Sequence, residues 1–172
     1  PSQSNYGLAK IAARDLCNIV AYLEKIDYIH TRLSVPLDEN VKEGTYVANT
    51  LQKIKNNEPY DLPTNPNLFD IIPLSEVAKA YKHIAELGKN KADYFIGTGY
   101  PITLSDFFNR FYNLLHCKEN IASMTVPKET TDLFSIEQLQ KDTGFAPQSF
   151  LQVYRNQIMD KMHLQNHKED CL

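Results

Sequence analysis

Apolar residues recur at Leu8, Ile11, Ala12, Leu16, Ile19, Val20 and Leu23, a spacing of three and four that predicts an amphipathic helix over residues 6–26. The opposite face carries Lys10, Arg14, Asp15, Asn18 and Glu24. Residues 27–35 are rich in β-branched and aromatic side chains and predict a strand stopped by Pro36. A helix follows over 44–57, with Val47, Ala48, Leu51 and Ile54 on one face. Pro59, Pro63 and Pro66 punctuate the next stretch, and 58–74 is expected to form a small lobe or a flap ending in a short apolar run. Ser75 is placed to cap a helix that turns Val77, Ala78, Tyr81, Ile84, Ala85 and Leu87 inward and ends at Gly88. A strand over 93–96 turns at Gly97-Thr98-Gly99. Thr103 then caps a helix whose Phe107, Phe108, Phe111, Leu114 and Leu115 have the spacing of core. Residues 121–126 predict a last strand. Ser135 with Gln138 predicts a capping box for a short helix closed at Gly144, and 150–162 a final helix before a loose tail over 163–172. Strands alternating with helices place the chain in the α/β class with parallel strands, as a single unit over 1–172.

Composition narrows the function classes. The 172 residues are 42% hydrophobic and 23% charged, as in a soluble globular chain with one real core. A net charge of -3 and a pI near 6.0 argue against a nucleic-acid partner, which needs a clustered positive field. No apolar run reaches the roughly 18 residues of a membrane span, and no secretory leader pattern opens the sequence. Cys17, Cys117 and Cys171 are odd in number and far apart, which fits free thiols in a reducing compartment; the expected location is the cytoplasm. His163, His167 and Cys171 would align on one face of a continued helix and could hold a metal. A frayed polar tail is the plainer reading, so no metal site is expected. The sequence opens directly at the first helix, with no starting Met and no preceding strand, and is expected to be a portion of something larger.

Candidate chemistry begins with Tyr6-Gly7-Leu8-Ala9-Lys10. A Tyr and a Lys four apart share a helix face, and a nearby ammonium favours the phenolate, so the phenol can move a proton to or from a substrate hydroxyl. Four further segments follow in order. They are Arg32-Leu33-Ser34-Val35-Pro36, then Asp70-Ile71-Ile72-Pro73-Leu74-Ser75-Glu76-Val77-Ala78, then Tyr94-Phe95-Ile96-Gly97-Thr98-Gly99-Tyr100-Pro101-Ile102-Thr103-Leu104, then Lys141-Asp142-Thr143-Gly144-Phe145-Ala146-Pro147. Taken in this order along nearly the whole chain, the five resemble the carboxy-terminal half of the extended short-chain dehydrogenase/reductase family, the NAD-dependent epimerases and dehydratases.

That resemblance implies the carboxy-terminal part of a Rossmann-like NAD(P)-binding fold with a small substrate-binding lobe. It makes Tyr6 the general acid/base and Lys10 the residue that lowers its pKa and holds the nicotinamide ribose. It places Leu33, Val35 and Pro36 beside the nicotinamide of NAD or NADP, and Phe69 and Asp70 at the substrate. The implied substrate is a nucleotide-linked sugar, and the implied assembly is a homodimer through the helix starting at Tyr6. Ala9, Ala12, Ala13 and Leu16 suit either such a helix pair or a core. The family's glycine-rich phosphate turn is not in this sequence. Gly97-Thr98-Gly99 is followed by Tyr100-Pro101 with no third glycine at the required spacing, and reads as a turn. Weak or absent NAD(P) binding is therefore expected of this chain alone. Phe69 and Pro73 stand where many members carry an Arg and a His, and Val35 and Asp38 where many carry Asn and Gly. Phe69 cannot grip a diphosphate as an arginine fork does. The alternative to an enzyme is a non-catalytic fragment or interaction module that lacks the nucleotide-binding half.

Overall fold

The computed structural model describes residues 4–42, 44–116 and 132–169, with side chains described as far as 160. The strand expected over 121–126, Cys117 and Cys171 lie outside the described residues, as do the side chains of His163 and His167. Six helices and six short strands are described: α1 Asn5–Glu24, β1 His30–Leu33, β2 Val35–Leu37, α2 Tyr46–Lys55, β3 Leu68–Phe69, β4 Ile71–Pro73, α3 Leu74–Leu87, β5 Asp93–Ile96, β6 Ile102–Thr103, α4 Leu104–His116, α5 Glu137–Thr143 and α6 Phe150–Glu169. β1 pairs in parallel with β5 and β2 in parallel with β4, while β3 and β6 form an antiparallel pair.

β4 divides the interior. Successive strand side chains point to opposite faces, so Ile71 enters one core and Ile72 the other. The first core gathers Leu51 and Ile54 of α2, Phe108 and Phe111 of α4, and Phe150 and Tyr154 of α6. The second gathers Val77, Ala80 and Ile84 of α3 with Tyr94, Ile96, Leu139 and Phe145. The stretch over 58–74 is tied to the first core through Tyr60 and Phe69. Tyr94 laces the second core at its rim: its hydroxyl accepts from the Lys89 N–H at 2.9 Å and donates to Asp142 at 2.9 Å.

Several local expectations are corrected. Residues 27–35 do not form one strand stopped by Pro36: the strand starts at His30, breaks at Ser34, and Pro36 lies inside β2 opposite Ile72. A parallel partner uses the N–H groups of alternate residues only, so the missing N–H of Pro36 falls on the edge away from β4. Ser75 does not cap α3. Pro73 stands at the cap, and the Ser75 N–H instead donates to Glu39 Oε1 at 2.8 Å, a carboxylate from the loop after β2 closing the helix start. Ala78, Tyr81, Ala85 and Leu87 lie outward, and Glu76 is buried with Lys79 2.7 Å away. The Ser135 and Gln138 pair makes no capping box, because the Gln138 amide reaches Asp142 instead. Gly144 closes α5 in the left-handed region at φ 68° as expected. The final helix runs on past 162 to Glu169.

α1 departs most from expectation. It is capped by Ser4, whose side chain accepts from the Gly7 N–H at 3.2 Å. Ala21 is its only buried residue among those described, and Arg14 is half-buried beside it. The helix therefore sits on the body by its small and polar stripe. Its apolar positions from Leu8 to Leu23 cover an arc of roughly 200° at about 100° per residue, twice the usual stripe, and face outward. Leu16 is 63% exposed and Leu23 67%.

Candidate functional site

Ser34 is where the sheet forks. β1 ends at Leu33 opposite Ile96 of β5, and β2 begins at Val35 opposite Ile71 of β4. The Ser34 N–H donates to the Ile96 carbonyl at 2.9 Å, its Oγ to the Asp70 carbonyl at 2.7 Å, and the Val35 N–H to the same carbonyl at 3.0 Å. One residue thus passes the strand from one parallel partner to the other. Open α/β sheets bind ligands outside the carboxyl ends of their strands, where neighbours part, so the end of β5 beside this fork is the candidate site.

Asp70 holds the fork closed from beneath. It is 1% exposed. Its Oδ1 accepts from the Thr98 N–H at 2.9 Å and from Thr98 Oγ1 at 2.7 Å, and its Oδ2 accepts from the Gly99 N–H at 2.8 Å. Gly97 is required by this close approach, since a Cβ there would stand 2.5 Å from Asp70 Oδ2. Gly99 lies at φ 77°, which favours glycine. Consecutive backbone N–H groups in such a turn make an anion-binding nest, and here the anion is the protein's own carboxylate.

The residues singled out from sequence fall in two groups. Leu33 and Pro36 are exposed at the fork, Val35 is half-buried between them, and Phe69 is half-buried in β3 against the first core. Asp70 is adjacent and fully enclosed. Tyr6 and Lys10 stand one turn apart at the head of α1, with Lys10 Nζ over the Tyr6 ring at 5.4 Å from its centroid. Tyr6 is 73% exposed, and no hydrogen bond or ion pair joins either residue to the fork. Ser34 and Thr98 were not singled out from sequence as site residues. A hydroxyl between two glycines directly after a strand is the signal that could have found Thr98.

The fit to a nicotinamide cofactor divides at the pyrophosphate. Exposed Leu33 and Pro36 with half-buried Val35 suit the flat nicotinamide ring, and Lys10 suits a ribose hydroxyl. The N–H groups of Thr98 and Gly99, the glycine-flanked donors of the 97–99 turn, are occupied by Asp70 and leave nothing there to hold a phosphate. Among the described residues no group of three or more His, Cys, Asp or Glu is placed to hold a metal, and no helix is long and apolar enough to cross a membrane.

No family model and no curated protein sequence matches this chain. Solved structures do. WbmF of Bordetella bronchiseptica, in complex with NAD+ and UDP, superposes with a TM-score of 0.68 at 14% identity, covering 98% of this chain and 57% of that one. UDP-glucose 4-epimerase of Thermotoga maritima, with UDP-glucose, gives 0.66 at 15% identity over 91% of this chain and 54% of that one. RMD of Pseudomonas aeruginosa, complexed with NADPH, gives 0.66 at 18% identity over 87% and 53%. This chain shares the fold of these solved structures. It spans about half the length of these structures.

At the leading end of the strands, opposite the fork, the chain carries a charged cluster. A cleft of about 250 Å³ between α1 and the starts of β1 and β5 is lined by Arg14, Asp15, Tyr28, His30, Lys91 and Asp93, among others. Arg32 Nε lies 3.0 Å from Asp93 Oδ1. His30 Nδ1 lies 3.3 Å from Asp93 Oδ2, outside hydrogen-bond geometry. Partial burial pushes the Asp93 carboxyl up, and the hydrogen bond and charge of Arg32, with His30 close by, outweigh this and hold it below the ordinary value of 3.8. A carboxyl depressed on folding stabilises above its unfolded value, and that contribution is lost as pH falls through the folded one. Asp93→Asn is therefore expected to lower the urea midpoint at neutral pH, with the gap to wild type closing below about pH 4. A gap that stayed constant from pH 7 to pH 2 would show that the Arg32 pairing contributes nothing.

Proposed function

We propose that this chain supplies the catalytic-helix and nicotinamide-facing half of an NAD(P)-dependent epimerase, dehydratase or reductase that acts on a nucleotide-linked sugar. The observation that carries the reading is the likeness, over 98% of this chain, to a solved complex with NAD+ and UDP. The head of α1 adds the required proton chemistry: Tyr6 is exposed and reachable, with a cation on its ring face. In this reading Tyr6 takes or returns the proton of a substrate hydroxyl at its phenol oxygen, and Lys10, whose ammonium lies over the Tyr6 ring, holds the ribose. The nicotinamide, NAD or NADP, accepts and returns hydride when bound. Leu33, Val35 and Pro36 border the ring where β1 passes into β2. Phe69 borders the substrate, while Asp70, with both oxygens taken, serves the substrate through the turn it holds. The chain alone binds NAD(P) weakly or not at all. The expected location is the cytoplasm.

The exposed arc of α1 supports a second part of the reading, a homodimer through this helix. Its Ala9, Ala12, Ala13 and Leu16 side chains lie outside the chain's own core, and small residues let a second helix approach closely. A contiguous apolar surface of this breadth marks an interaction face. The same breadth favours, as the alternative, an interaction module without catalysis.

Two measurements separate these possibilities. In the protein as the cell makes it, Tyr6→Phe is expected to lower NAD(P)-dependent turnover of a UDP-hexose about a hundredfold or more, with little change in substrate affinity. Near-normal turnover would remove Tyr6 from the acid/base role. By light scattering, the wild-type chain is expected to be dimeric and Ala12→Glu monomeric, because a charge in a packed seam costs several kcal/mol unless it reaches water. A monomeric wild type would refute the dimer.

A further inference from the structure

Three candidates stand outside the roles assigned above: the charged cleft at the leading ends of β1 and β5, the buried carboxylates near the start of α3, and the double attachment of Asp70. The cleft carries both signs of charge, so nothing in it selects a ligand. Glu39 and Glu76 are accounted for by the helix start and by Lys79. Asp70 is different, because its two ends grip two different walls of the candidate site.

The side chain holds the turn after β5 through three short hydrogen bonds to Thr98 and Gly99. The main-chain carbonyl of the same residue holds Ser34 and Val35 at 2.7 and 3.0 Å. Beside these contacts the Ser34 N–H donates to the carbonyl of Ile96, where the β1–β5 ladder ends just before the turn. We propose that Asp70, with Thr98 and Ser34 as its partners, is the positioning residue of this site, fixing the spacing between the β5 turn and the strip that faces the nicotinamide. The inference rests on the reading of Leu33, Val35 and Pro36 as that strip. It makes a specific mechanical statement: loosening the side-chain end of Asp70 must be felt at Ser34 and Val35, which the side chain does not touch. A buried carboxylate accepting three donors is rigid, because giving one up leaves a buried acceptor under-satisfied. Fixed at both oxygens, the side chain holds the Asp70 backbone, and with it the carbonyl shared by Ser34 and Val35, in register with the turn.

Asp70→Asn places an amide N–H2 against N–H donors and can fail to fold, so the test uses Thr98. Thr98→Val removes the hydroxyl at nearly constant shape, and with it the bond to Asp70 Oδ1 and the one accepted from the Tyr100 N–H, while Thr98→Ser keeps that hydroxyl. Amide hydrogen exchange on the 172-residue chain reads the result residue by residue. The expected outcome for Thr98→Val is about tenfold faster exchange at Val35 and Gly99, with His30 in the β1–β5 ladder unchanged, and recovery in Thr98→Ser. Acceleration at Gly99 alone would overturn the proposal and leave Asp70 a cap of its own turn. Equal acceleration throughout, His30 included, would also overturn it, by showing a general loss of stability. These outcomes are independent of whether a nicotinamide binds, which a cofactor titration reads separately.

Discussion

One buried carboxylate organises this half-fold. Asp70 accepts three hydrogen bonds on its side chain and two on its carbonyl, and it immediately precedes β4, the strand that separates the two cores. Left unpaired in the interior, such a charge would cost several kcal/mol. The turn over 97–99 must therefore be in place whenever β4 is buried. The requirement runs both ways, since Gly97 has room for no side chain against that carboxylate. The fork in the sheet and the close packing of the 97–99 turn against β4 both follow from this arrangement.

The same arrangement leaves the 97–99 turn without free backbone donors for a bound anion. A glycine-flanked turn after a parallel strand is the right backbone for an anion, and in this chain it already has one, tethered in cis. Leu33, Val35 and Pro36 stay at least partly open beside the fork, and the head of α1 carries Tyr6 with Lys10 over its ring. The outward apolar arc of α1 belongs to the same picture. A helix of 20 residues seated by Ala21 and a polar stripe buries too little to account for its own composition, and its apolar positions are suited to surfaces beyond those described.

Much of the fold was legible in the sequence because it depends on local periodicity. α2 and α4 bury the residues their spacing marks, and β5 lies where its pattern places it. The α/β class and parallel pairing follow from the alternation of elements, and the family resemblance agrees with the solved structures that share the fold. The misreadings come from partners distant in sequence. Nothing near Ser75 announces that Glu39, 36 residues earlier, will take its N–H. Pro36 reads as a strand end until the partner strand's side is known. Glu76 looks like a surface residue of α3 and is buried. Of the candidate site, Tyr6 and Lys10 could be picked out by their spacing and Asp70 by its motif, but its enclosure could not, because that depends on a turn 28 residues away.

The central claim is that the nest over 97–99 is filled from within by Asp70, so this turn has no donor to offer a pyrophosphate. Calorimetric titration of the 172-residue chain with NADH tests it most directly. The account predicts no binding in the micromolar range. Micromolar affinity, with the amides of Thr98 and Gly99 shifted on titration, would contradict it, for it would mean that the pyrophosphate displaces Asp70 from the turn.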